Sequence, residues 1–218
     1  MLADLDGARF VVEDEKQFPS SNPKYLFQDG LAVITPLLWL LFALNLMGYF
    51  FLLSWTPTLL TAAKLPPATA ALSIALLQIG GTVGSLILIR WLDRYQFAAI
   101  TVLFIVAVPV VGALGFIGAG STKEVLLAAC FVAGFCVLGI QSGINVAGAL
   151  VYPTSLRANG SGWELGVGRV GSIIGPLLGA FFVTLPVQQL YMWSALPFAL
   201  GAIVCYAIYR LNEARLRR

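Results

Sequence analysis

Residues 141–179 read QSGINVAGALVYPTSLRANGSGWELGVGRVGSIIGPLLG. An apolar segment runs to Tyr152 and Pro153 and a short polar link carries Arg157. A second apolar segment then sets Glu164 and Arg169 among glycines. A charge inside a bilayer-length segment costs roughly 3 kcal/mol on insertion scales, so such residues turn toward a bundle interior or a water-filled cavity. Two of them in one segment mark a pathway. The rest of the chain reads as the scaffold that gives Arg169 a place to sit.

The whole chain fits that scaffold. Its 218 residues are 59% hydrophobic and 11% charged, with a mean hydropathy of +0.90. A water-soluble domain is about 25% charged, so this composition belongs to an all-α membrane protein. A span takes about 20 mainly apolar residues. Six transmembrane helices are predicted, at about residues 35–61, 69–91, 97–117, 125–151, 162–184 and 190–209. Residues 1–30 hold most of the acidic side chains and read as a flexible arm. Residues 31–211 form the six-helix unit, and residues 212–218 form a basic tail.

Charge placement sets the orientation. Arg9, Lys16, Lys24, Arg90, Arg94, Arg157, Arg210, Arg215, Arg217 and Arg218 fall on one side of a six-span arrangement, against Lys64 and Lys123 on the other. By the excess of basic residues in cytoplasmic loops, both termini are expected in the cytoplasm.

Other classes drop out. The chain has no histidine, which excludes His-based triads, His metal sites and His proton relays. Cys130, Cys136 and Cys205 lie in apolar runs without metal or disulfide spacing. No nucleophile–base pair stands out, so no enzyme activity and no cofactor are expected. No basic patch with interleaved aromatics suggests nucleic acid.

Several motifs then resemble a known superfamily. Leu92-Asp93-Arg94 follows the second span, and Gly171-Ser-Ile-Ile-Gly175-Pro176-Leu-Leu-Gly179 lies in the fifth. Both resemble motifs of the major facilitator superfamily, and the order matches its C-terminal six-helix bundle. Two departures stand in the first motif. Ile89 occupies the place of the expected glycine, and Tyr95-Gln96-Phe97 replaces the usual basic run.

The stretches Asn45-Leu-Met-Gly-Tyr49 to Trp55-Thr-Pro57, Tyr152-Pro153 to Gly160, and Trp163-Glu-Leu-Gly166-Val-Gly168-Arg169 resemble the aromatic acid:proton symporter family. That resemblance implies a proton-coupled carrier importing benzoate-like anions across a bacterial inner membrane. The superfamily uses twelve spans, and the half absent here carries the first-helix acidic motif associated with proton coupling. The chain therefore reads as a C-terminal half, a fragment or split subunit that needs an N-terminal six-helix partner. Alternating access requires one half to move against the other. Another major facilitator carrier (for sugars, drugs or other organic anions) and a non-transporting truncated membrane protein remain as alternatives.

Each candidate site residue has two readings. Arg169 offers a planar fork that suits a carboxylate, or else a structural partner for Glu164 or a cap on backbone carbonyls, the five-residue spacing favouring separate partners. Glu164 is the proton-coupling candidate, or an ordinary carboxylate near the start of its span. Asn45 with Tyr49, Gln78, and Gln141 with Asn145 are polar groups at bilayer depth, lining a cavity or binding helices together. Trp163 and Tyr49 flank an aromatic ring or pack at the interface. Asp93, Arg94 and Arg157 are read as a cytoplasmic gate, with headgroup anchoring the alternative for Arg157. Gly171, Gly175, Pro176 and Gly179 are read as helix-packing positions.

Overall fold

The computed structural model describes residues 23–28, 30–62, 64–120, 122–182 and 184–216. A short 3-10 helix, Pro23–Phe27, precedes five helical elements: α1 (Ile34–Ala62), α2 (Pro67–Gly120), α3 (Lys123–Val151), α4 (Thr154–Phe181) and α5 (Val187–Leu216). A straight α2 would run about 80 Å at 1.5 Å per residue, far beyond a hydrocarbon core of about 30 Å. It folds back at Gln96, whose φ of 39° and ψ of −123° break the helix. Its two arms, Pro67–Leu92 and Tyr95–Ile117, are each of membrane-crossing length and apolarity, so the bundle has six long helical segments. Helices are the natural solution, since a bilayer offers no water to satisfy exposed backbone groups.

Five of the six segments are apolar enough to cross a membrane by composition, and α4 is the exception. Arg157, Glu164, Arg169 and its many glycines lower its hydropathy. The helix also starts at Thr154, about two turns before the residue-162 start expected from sequence. Glu164 consequently lies well inside the helix, which corrects the reading of it as a carboxylate near the helix start. Pro57 does not end α1, which continues to Ala62.

Close backbone approach defines the packing. α4 runs along α1, and the first arm of α2 runs along α3. A Cβ on Gly171 would strike the Ala43 carbonyl oxygen, and one on Gly175 the Met47 carbonyl oxygen. Gly80 and Gly84 meet the carbonyls of Phe131 and Phe135 in the same way. Small residues replace the hydrophobic effect as the basis of helix association in lipid. The Trp55 indole covers Gly179, and its Nε1 donates to the Pro176 carbonyl at 3.0 Å. α5 closes the bundle against α1 and the second arm of α2, with Tyr191 Oη donating to Thr56 Oγ1 at 3.1 Å.

The basic end is tied together more closely than the sequence indicated. Leu26 of the 3-10 helix is fully buried. Thr35 Oγ1 donates to its carbonyl at 2.6 Å, and Tyr152 Oη donates to Thr35 Oγ1 at 3.4 Å. Arg215 Nη1 donates to the Val151 carbonyl at 3.3 Å. The end of the expected flexible arm is thus docked, and the expected tail is helical as far as Leu216. The remainder of both segments, residues 1–22 and 217–218, lies outside the described residues.

Candidate functional site

Four of the singled-out polar residues meet in pairs between α1, α3 and the first arm of α2. Asn45 is fully buried. Its Nδ2 donates to Gln141 Oε1 at 2.8 Å and lies 3.5 Å from the Val137 carbonyl. One helical turn along α1, Tyr49 Oη donates to Gln78 Oε1 at 3.2 Å. Asn145 lies one turn beyond Gln141 on α3 and is exposed, as is Gln78. Ser85 and Ser142, which sequence reasoning passed over, add a third link through a 2.7 Å hydroxyl contact. Their signal was weak because single serines are ordinary in apolar helices.

The Asn45–Gln141 contact carries a measurable expectation. Hydrogen bonds between membrane helices average about 0.6 kcal/mol and reach about 1.7 in double-mutant cycles. A cycle of Asn45→Ala and Gln141→Ala, followed by unfolding in detergent, should return a coupling in that range. A coupling of zero would mean that the two amides do not hold the helices together. Asn45 Oδ1 is buried without a hydrogen-bond partner, so this polar spot retains an acceptor for something else.

Arg169 and Glu164 do not share a place. Five residues separate them, about 140° around the helix at 100° per residue. Arg169 is exposed, while Glu164 is only 2% exposed and lies against Gly148 of α3. The reading of the two as a structural pair is therefore corrected by the geometry of the helix. Around Arg169, α4 exposes Leu165, Val170, Ile173 and Leu177. Trp163 stacks on Trp39 of α1 with ring centroids 5.8 Å apart, and Phe27 meets Trp39 edge-on at 5.8 Å. Half-exposed, Trp163 also lines an open groove on α4 with Asn159, Gly162 and Gly166.

Asp93 and Arg94 fall beside the Gln96 bend, and their side chains lie outside the described residues. Arg157 sits one turn into α4, half-buried, its Nε without a hydrogen-bond partner. Tyr152 and Trp39 were missed as members of this end. Tyr152 is buried and held by Thr35, and Trp39 Nε1 is buried as well. Only the tertiary contacts bring them together.

Six long helical segments packed through glycine stripes, with amides and a carboxyl lodged among them, define an α-helical integral membrane protein. The chain belongs to the Major Facilitator Superfamily, whose profile matches residues 7–169. It is 31% identical to a gallate transporter of Pseudomonas putida over 97% of this chain and 46% of the relative. It is 33% identical to a 3-(3-hydroxy-phenyl)propionate transporter of Escherichia coli over 95% of this chain and 50% of the relative. A benzoate transport protein of Acinetobacter baylyi is 28% identical over 95% of this chain and 44% of its own length. The chain spans about half the length of the curated relatives it matches.

Proposed function

We propose that this chain is the C-terminal half of a proton-coupled secondary transporter for aromatic carboxylates, working in a bacterial inner membrane with an N-terminal six-helix half. The observation that carries the reading is the exposed face of α4. That face carries the exposed Arg169 among exposed apolar side chains, which supports a guanidinium that needs a polar partner. An arginine left in lipid costs about 3 kcal/mol or more. A second half facing α4 across an aqueous path removes that cost and gives Arg169 an anion to hold.

The chemistry of the two regions is complementary. Arg169 binds the carboxylate through its fork. The Asn45–Gln141 and Tyr49–Gln78 pairs, with Asn145, supply donors and acceptors for ring hydroxyls, while Trp163 and Tyr49 offer aromatic faces. The names of the relatives, which are transporters of gallate, benzoate and a hydroxyphenyl propionate, support an aromatic acid over a sugar. Arg157, Arg210 and Arg215 gather at the end formed by the Gln96 bend, the α3–α4 link and the end of α5, which supports a cytoplasmic position for that end. Asp93, Arg94 and Arg157 act there as the gate.

The test is uptake by cells that co-express this chain with the N-terminal half of a relative such as the gallate transporter. Accumulation of radiolabelled gallate, benzoate or 4-hydroxybenzoate is expected, with none of glucose, and a protonophore should abolish it. Uptake of the sugar in preference to the acids, or no accumulation of either by a pair shown to assemble, would overturn the proposal.

A further inference from the structure

The buried acid on α4 lies on a different face of the helix from Arg169. Among the described acidic residues, only Glu164 lies inside a long helical segment away from its ends. It is 2% exposed, and its Oε1 has no hydrogen-bond partner. Its carboxyl group occupies the gap left by the missing side chain of Gly148. A Cβ placed there would lie 2.5 Å from Oε2 and 2.8 Å from Oε1.

Among the described residues, no basic side chain is recorded in an ion pair with it. α1 has no charged residue along its length, and those of α3 are Lys123 and Glu124 at its opposite end. Tyr152, at the near end of α3, is a titratable group on that side, its ring packed on Gly160 of α4. On its own helix, Arg157 lies about two turns toward the basic end and Arg169 faces away. The docked 3-10 helix, which carries Lys24 and Tyr25, contacts α4, and Arg215 of α5 is engaged at Val151.

From this arrangement we infer that Glu164 is a proton-binding site of the bundle, its carboxyl group held as the neutral acid while α4 lies against α3 at Gly148. An ionised carboxylate in that position would keep Oε1 buried with neither water nor a hydrogen-bond partner, a cost that a proton removes. The same geometry supplies a release step. α4 is seated chiefly on α1, through its glycines, and meets α3 only thinly. Separation of α4 from Gly148 admits water to the carboxyl group, and the proton leaves from an oxygen of Glu164 to that water. The inference concerns this chain's own acid and holds whether or not aromatic acids are the substrate. Where both hold, Glu164 is a proton carrier of the transport cycle located in this half.

Infrared spectroscopy of the full chain in nanodiscs tests it without any substrate. At neutral pH the wild-type chain should show the C=O stretch of a protonated carboxyl group, which uniform 13C-glutamate labelling shifts. Glu164→Gln, nearly the same shape, should lose the band. The combined variant Glu13→Gln, Glu15→Gln, Glu124→Gln and Glu213→Gln, which retains Glu164, should keep it. Gly148→Ala should move the band to a lower pH range by pushing the carboxyl group out of its gap. Absence of the band from the wild-type chain at neutral pH, or its loss from the four-glutamine chain, would overturn the inference. Neither result bears on which substrate is carried.

Discussion

Replacing Arg169 with alanine is expected to cut uptake of an aromatic acid by the reassembled transporter about 100-fold. A charge-assisted hydrogen bond contributes roughly 1.5–3 kcal/mol, and each 1.4 kcal/mol is a tenfold change in affinity. The bidentate pair of a guanidinium with a carboxylate lies at the upper end of that range. Arg169→Lys keeps the charge and loses the fork, so its uptake should fall between the wild-type and alanine chains. Because Arg169 is exposed in this half, neither change should reduce the amount of folded chain. Initial uptake rates against substrate concentration, normalised to protein in the membrane, give the comparison. Wild-type uptake by the alanine chain would remove Arg169 from the substrate site.

The second large effect is structural and sits one helical face away. Gly171 approaches α1 so closely that a Cβ would meet the backbone carbonyl of Ala43. Backbone, unlike the end of a flexible side chain, can yield only if the helix moves. Overpacking of this kind costs typically 1–3 kcal/mol, so Gly171→Ala should be clearly destabilised and Gly171→Leu should fail to assemble α4 on α1. Gly162 and Gly166, on the same helix, have nothing within 4 Å of an added Cβ. Alanine at either should be neutral or stabilising by up to about 1 kcal/mol, since a helix-interior glycine costs about that much. Cys130, Cys136 and Cys205 are free and buried, so a thiol-reactive dye reports unfolding of all these chains in one assay. Equal melting temperatures for Gly171→Ala and Gly166→Ala would contradict the packing described.

The long segments were legible because five of the six are long apolar runs, and lipid imposes that requirement on a span whatever its neighbours. The motif around Tyr152-Pro153 to Arg169 was legible for a related reason. Charges and glycines stand out only against such a background. The pairing of Asn45 with Gln141 and of Tyr49 with Gln78 was not, although all four residues were singled out. A polar residue four positions from another identifies a shared helical face, but nothing local says which helix that face meets.

Glu164 shows the division most plainly. Its presence in a helix of bilayer length followed from the sequence, which also left it as an ordinary carboxylate near a helix end. The structure starts α4 at Thr154 and seats the carboxyl group opposite Gly148, and those two facts make it a buried acid. Apolar length and small-residue spacing, being properties of one segment in lipid, determined by themselves that this chain is a bundle of long helices. Which polar groups are exposed, paired or stranded depends on contacts between segments far apart in the chain, and only the tertiary structure decided that.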